Sequence, residues 1–269
     1  MIPYVAAIGA ALYGAARIFE WKNLYHPESQ IEMTPADLGL EFEDVTFVAE
    51  DAVQLHGWWI PTENARGTIL YCHGNAGNIG DRTEVAADLR KLGVNVFLFD
   101  YRGYGRSKGL ASENGTYRDA RAAYEVVRSR HDDVENPPII VHGASLGGAI
   151  AVQLALDRNP RALVLEGTFT SVTEMGQLLF PRLPIRWLNQ HRYNSLSKIA
   201  KVTCPIVIAH SKNDQLIPFE MGQRLYRAAT APKRFVELEN GHGESGWSYS
   251  PRFWTDLEEL TTRVLGPRL

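Results

Sequence analysis

Gly143-Ala144-Ser145-Leu146-Gly147 sets a serine between the apolar run Ile139–His142 and an Ala-rich segment. Such a strand, tight turn and helix would expose the hydroxyl at the tip of the bend. Glycine is wanted at 143 and 147 because side chains there would clash across it. The helix that follows offers free N–H groups and a positive dipole end to an oxyanion formed beside the serine. The chemistry implied is nucleophilic attack on an acyl carbonyl. A serine hydroxyl is a poor nucleophile at neutral pH, so a general base must accompany it, and an acid must orient that base.

Eight histidines compete for the role of base. His26 and His56 precede the alternating core, His142 lies inside a predicted strand, His191 falls in an insertion and His210 ends a strand. His242 stands in Asn240-Gly241-His242-Gly243, a glycine-flanked loop between the last strand and the last helix, and is assigned as the base. Two carboxylates satisfy the order serine, acid, histidine: Asp214, in the loop after strand Ile206–His210, and Glu166, at the end of the strand before it. Asp214 is preferred, and Glu166 is expected to bond loop backbone near the insertion. Asp100 comes before the serine and, with Tyr101-Arg102-Gly103-Tyr104-Gly105, reads as a rigid structural loop. An oxyanion needs two N–H donors. Leu146, directly after the serine, supplies one, and Asn75 in His73-Gly74-Asn75 the other. His73 itself reads as a hydrogen-bonded structural residue.

These residues need a frame, and the pattern around them supplies one. After a linker at about 26–40, β-rich runs at Val45–Val48 and Val53–Ile60 flank a hairpin turn at Asp51 and Ala52. Strands are expected at Gly67–Cys72, Val94–Asp100, Ile139–His142, Ala162–Glu166, Ile206–His210 and Phe235–Leu238. Helices are expected at Gly80–Leu92, Glu113–Arg130, Ser145–Asp157, Phe219–Ala229 and Trp247–Leu265. The alternation implies an α/β fold with a mainly parallel central sheet, flanked by helices and edged by the opening hairpin. Residues 168–203, after the sixth strand, break the rhythm with Pro181, Pro184 and several aromatics, and suit a small helical cap over the strand ends. Residues 40–269 would then form the catalytic domain.

The 269 residues carry a net charge of −3 and no Lys/Arg run, which disfavours a nucleic-acid partner. The two cysteines make no disulfide framework, and no Cys/His cluster has metal-ligand spacing. Residues 1–25 differ from the rest. Ile2 to Ala16 are uncharged and apolar or small, short of a bilayer span unless extended to Trp21 past Arg17 and Glu20. Arg17, Trp21, Lys22 and Tyr25 would then be interfacial anchors. Small residues four apart (Ala6, Ala10, Gly14) would allow two copies to pair as a homodimer. The expectation is membrane association through residues 2–21 with a cytoplasmic catalytic domain. The alternative is a soluble cytoplasmic protein whose apolar helix docks on the domain itself.

His-Gly-Asn-Ala-Gly-Asn at 73–78, Asp-Tyr-Arg-Gly-Tyr-Gly-x-Ser at 100–107, Gly-x-Ser-Leu-Gly-Gly at 143–148, Asp-Gln-Leu-Ile-Pro at 214–218 and Gly-His at 241–242 stand in a single order. In these motifs the chain, over about residues 40–265, resembles the α/β-hydrolase superfamily. Within it, the chain is most similar to the single-pass, membrane-anchored α/β-hydrolase-domain proteins. It departs from them at Gly243-Glu244, where they often have Asn-Asp. The resemblance implies a serine hydrolase that cleaves carboxylic esters, esterase- or lipase-like, through an acyl-enzyme and without a cofactor. An acyl-thioesterase acting on lipidated protein or acyl-CoA is the alternative, and a non-catalytic membrane scaffold a distant third. Serine at the turn argues against haloalkane dehalogenases and epoxide hydrolases, which use a carboxylate there.

Overall fold

Strand runs such as Ile-Leu-Tyr-Cys and Val-Phe-Leu-Phe have no polar face to turn to water, so they must be covered on both sides. The computed structural model of the chain, which describes residues 2–133, 135–239, 241, 242 and 250–268, shows how. Eight strands form one sheet in the order β10-β9-β8-β7-β4-β6-β3-β2. They are β2 (Glu43–Val48), β3 (Gln54–Ile60), β4 (Thr68–Cys72), β6 (Asn95–Asp100), β7 (Ile139–Ala144), β8 (Ala162–Glu166), β9 (Ile206–Ser211) and β10 (Lys233–Leu238). β3 runs antiparallel to both its neighbours, β2 and β6, and every other pair is parallel, as the hairpin signal and the βαβ alternation required. The hairpin turn places Ala52 at φ 63°. Two-residue strands β1 (His26–Pro27) and β5 (Ala76–Gly77) pair beside the sheet. They stitch the expected linker onto the loop that follows β4.

Successive strand residues point to opposite faces, and each face has its own core. Leu70, Cys72, Phe97, Phe99 and Val141 pack with α3 (Glu113–Arg128), α4 (Leu146–Arg158) and α8 (Phe219–Ala228). Ile69, Tyr71, Val96, Leu98 and Ile140 pack with α2 (Thr83–Arg90) and α9 (Pro251–Leu265). Burying each such side chain fully contributes roughly 1.5–3 kcal/mol. The helix expected from Gly80 begins instead as a 3-10 turn, Ile79–Arg82. There Asn78 accepts from the Gly80 N–H while Asp81 accepts from the Asn78 N–H, which tightens the first turn. Residues 247–249 of the last expected helix lie outside the described residues. Arg102 forks onto fully buried Asp119 and onto Asp51, so the loop after β6 is rigid, as read from the sequence.

The insertion at 168–203 folds into α5 (Val172–Leu179), α6 (Ile185–Leu188) and α7 (Ser195–Ile199). α5 and α6 pack on each other, while α7 rejoins the body against α4 and α8 with Ile199 buried. Only the first two helices overhang the strand ends.

Helix α1 (Ile2–Leu24) runs through the apolar N-terminal segment. No helix among the described residues is long and apolar enough to cross a membrane. Three of the four residues expected as interfacial anchors, Arg17, Trp21 and Tyr25, have partners within the protein, and Lys22 is exposed. Tyr25 is buried with its hydroxyl on Tyr193, 2.8 Å away, and Trp21 donates its indole N–H to Ala111 O at 3.0 Å. Arg17 and Glu20 are tolerated because they pair with each other one turn apart.

Candidate active site

The site begins with a backbone that ordinary residues avoid. Ser145 has φ 51° and ψ −118°, a conformation that costs on the order of 1–3 kcal/mol and persists only when its surroundings enforce it. Three bonds do so. Its N–H donates to Glu166 O, and its own carbonyl accepts from Gly148 N–H and from the Thr168 hydroxyl. The flanking glycines matter for close approach rather than for φ. A Cβ on Gly147 would lie 2.0 Å from Cys72 O, and one on Gly143 2.3 Å from Gly147 O. The turn is therefore pressed directly against the end of β4.

Ser145 Oγ lies 3.2 Å from His242 Nε2, and His242 Nδ1 lies 2.8 Å from Asp214 Oδ2. The three residues picked from the sequence thus meet in space, from the end of β7, the loop after β9 and the loop after β10. Asp214 is deeply set, with 2% of its side chain exposed against 18% for His242. Burial alone would raise the Asp214 carboxyl. The His242 hydrogen bond and the Ile217 and Leu216 N–H groups on Oδ1 outweigh it and hold the group below the usual carboxylate range. Glu166, the rival acid, faces His142 on the neighbouring strand, 3.5 Å from its Nε2. Its side chain does not bond the loop backbone near the cap as expected; its main-chain oxygen, which takes the Ser145 N–H, is what touches the site. The departure at Gly243-Glu244 lies outside the described residues.

The loop after β4 is pinned on both sides of Asn75. Gly74 O accepts from His73 Nδ1 at 2.7 Å, and a trans peptide turns its N–H to the opposite side, so the Asn75 N–H faces away from His73. The next carbonyl, Asn75 O, accepts from the Tyr104 hydroxyl and from His26 N–H. Tyr101 holds His73 O in the same way. Neither the Asn75 nor the Leu146 N–H meets an acceptor among the described residues, and both residues line one cavity with Ser145.

His73 is structural, as read from the sequence, and burial pushes its imidazole down to about 3, so it stays neutral. Asp100 lies 3.6 Å from its Nε2, and burial drives that carboxyl up from 3.8 to about 8 despite the Ile79 N–H it accepts. A carboxyl raised on folding adds stability in full below its unfolded value and loses it as pH climbs to the folded one. Asp100→Asn keeps the neutral shape at every pH. Its advantage over the natural chain in urea midpoint is therefore expected to grow between pH 4 and pH 8. An offset that is constant across that range would show that Asp100 is not the group responsible.

Sequence reasoning missed several supports. His210 donates Nε2–H to Ile217 O at 3.0 Å and lies 3.5 Å from Asp214 Oδ2, so it braces the acid loop from below. A histidine ending a strand carries no local sign of that role. The Asn75 side chain donates to Leu24 O and ties α1 to this loop. The motif with Tyr101 and Tyr104 is visible in the sequence, but the carbonyls their hydroxyls hold, His73 O and Asn75 O, are brought close only by the fold.

Above Ser145 is a cavity of about 170 Å³ with apolar walls from α1, α5 and α6, among them Phe19, Met175, Leu179 and Ile185. The only charged residue lining it, among the described residues, is Glu20. That carboxylate already accepts the Gln190 and His191 N–H groups and pairs with Arg17. No group of three or more His, Cys, Asp or Glu residues suited to a metal occurs among the described residues.

Residues 63–199 match the family model described as serine aminopeptidase, S33. The chain is 38% identical over 247 residues to the protein Rv2307c of Mycobacterium tuberculosis, covering 89% of this chain and 88% of that protein. It is 34% identical over 295 residues to the alpha/beta hydrolase domain-containing protein WAV2 of Arabidopsis thaliana, covering 97% and 96%. Among solved structures, the Pyrococcus furiosus esterase Pf2001 superposes with a TM-score of 0.76 at 22% identity, covering 90% of this chain and 100% of that one. An esterase domain from a Rhodothermus marinus protein gives 0.65, also at 22%, over 84% and 100%. At such identities the structural likeness speaks to the fold.

Proposed function

Because the chain belongs to the α/β-hydrolase superfamily, we propose that it cleaves carboxylic esters through an acyl-enzyme on Ser145. The observation that carries this reading is the Ser145–His242–Asp214 relay of 3.2 and 2.8 Å opening onto an apolar cavity. In the proposed cycle Ser145 Oγ attacks the ester carbonyl while His242 Nε2 takes the hydroxyl proton, and Asp214 stabilises the imidazolium. The Asn75 and Leu146 N–H groups take the negative oxygen; losing one such donor typically costs about 3–4 kcal/mol of transition-state stabilisation. Collapse of the tetrahedral adduct expels the alcohol, which takes the proton from His242. Water, deprotonated by His242, then attacks the acyl carbonyl and releases the acid and Ser145.

The cavity favours an uncharged acyl group. Binding a peptide's α-ammonium would call for a free carboxylate, and Glu20 is already neutralised by its own partners. The Pyrococcus and Rhodothermus esterases of like fold accord with ester chemistry. Purified protein should turn over p-nitrophenyl esters and take up a fluorophosphonate label at Ser145. If it does neither, the reading is wrong. A higher kcat/KM for matched thioesters would move the assignment to acyl-thioesterase.

A further inference from the structure

Helix α1 was expected to face lipid, yet Ala16, Phe19, Glu20, Asn23 and Leu24 line the same cavity as Ser145. Five separate attachments hold it there. Trp21 is bonded to Ala111 O before α3, and Tyr25, just past the helix, to Tyr193 between α6 and α7. Glu20 takes the Gln190 and His191 N–H groups, and Leu24 O takes the Asn75 amide. Phe19 meets Phe180 at the end of α5 edge to face, with centroids 5.1 Å apart. An apolar helix docked this way is part of the binding site's wall.

We propose that α1 is a specificity-determining wall of the acyl pocket, and that an unbranched aliphatic acyl chain lies between Ala16 and Phe19 of α1 and Met175 and Leu179 of α5. This rests on the ester-hydrolase reading and adds the substrate class. The wall is uncharged where the chain would run, so selectivity comes from buried methylenes, each contributing about fourfold in kcat/KM. The gain continues until the chain end meets α1. The Asn75 side chain bonds the last turn of α1 while its backbone N–H serves the proposed oxyanion hole. Seating of the helix and geometry of the hole are thereby linked.

The test uses the full chain and p-nitrophenyl esters from acetate to laurate. The readout is the ratio of kcat/KM values along the series. Ala16→Trp should shift the optimum to shorter chains and lower the decanoate-to-butyrate ratio at least tenfold; Phe19→Ala should shift it to longer chains. Opposite signs separate a reshaped wall from a helix that has merely come loose, which would move both variants the same way. In parallel, binding of the neutral fluorescent probe N-phenyl-1-naphthylamine is measured without turnover, and Ala16→Trp should weaken it at least tenfold. Esters hydrolysed with an unchanged chain-length profile would overturn the proposal and leave the ester reading standing. No hydrolysis with weakened probe binding would overturn the ester reading and leave the wall. No hydrolysis and unchanged probe binding would remove both.

Discussion

Ser145→Ala is expected to lower kcat for p-nitrophenyl butyrate about 10⁶-fold and to abolish fluorophosphonate labelling, with the urea midpoint little changed. The reason is that the hydroxyl and His242 act as one unit. Once the nucleophile is gone, the base 3.2 Å away has nothing to deprotonate but water. His242→Ala should therefore cost nearly as much alone, and the double variant scarcely more than either. Hydrolysis persisting in Ser145→Ala should be a residue of about 10³–10⁴ over water, supplied by the oxyanion donors and by binding. Retention of a tenth of the natural rate, or additive losses in the double variant, would count against the relay. The fold has a reason to tolerate Ala: the bonds that hold the turn come from the backbone of residue 145.

Asp214→Asn carries the second large effect, a fall in kcat of about 10⁴ with KM little altered. Asp214 divides its work between two oxygens. Oδ1 holds the loop through the Leu216 and Ile217 N–H groups, and Oδ2 receives His242 Nδ1–H. An asparagine can keep the first task only by placing its NH₂ where Oδ2 was. It then donates to Nδ1 and forces the imidazole proton onto Nε2, the atom that must accept the serine's proton. The loop survives in the wrong tautomer. The split between the constants gives a check that structural damage would not: kcat should fall while KM and the urea midpoint stay nearly unchanged. A urea midpoint lowered along with the rate would point to a displaced loop instead.

The elements that spell out chemistry were legible in the sequence because their requirements are local. Glycines beside Ser145 announce a bend too tight for side chains, and the order of Asp214 and His242 follows the order of the strands that carry them. Glu166 and Asp214 could not be separated by order alone. Register separates them, since β7 and β8 lie side by side and turn the Glu166 carboxylate to His142. The role of α1 was hidden for a different reason. Lipid and a protein interior both select apolar and small residues, so Ile2 to Ala16 suit either. Contacts more than a hundred residues away, such as Tyr25 to Tyr193 and Glu20 to His191, are what seat the C-terminal end of α1 on the domain. The bracing by His210 was likewise invisible, because it depends on where Ile217 returns after the turn.

The contact of Gly147 with the carbonyls of Cys72 and His73 has a consequence for how such a protein can change over generations. The two segments bearing the proposed oxyanion donors touch backbone to backbone, with no side chain between them to trim or enlarge. Inheritance has almost no freedom there, since even one methyl at 147 would push them apart. The cavity walls on α1, α5 and α6 are built from side chains that can be exchanged one at a time. Descendants of this chain can therefore acquire new substrates by redrawing those helices while the reacting half is passed on unaltered.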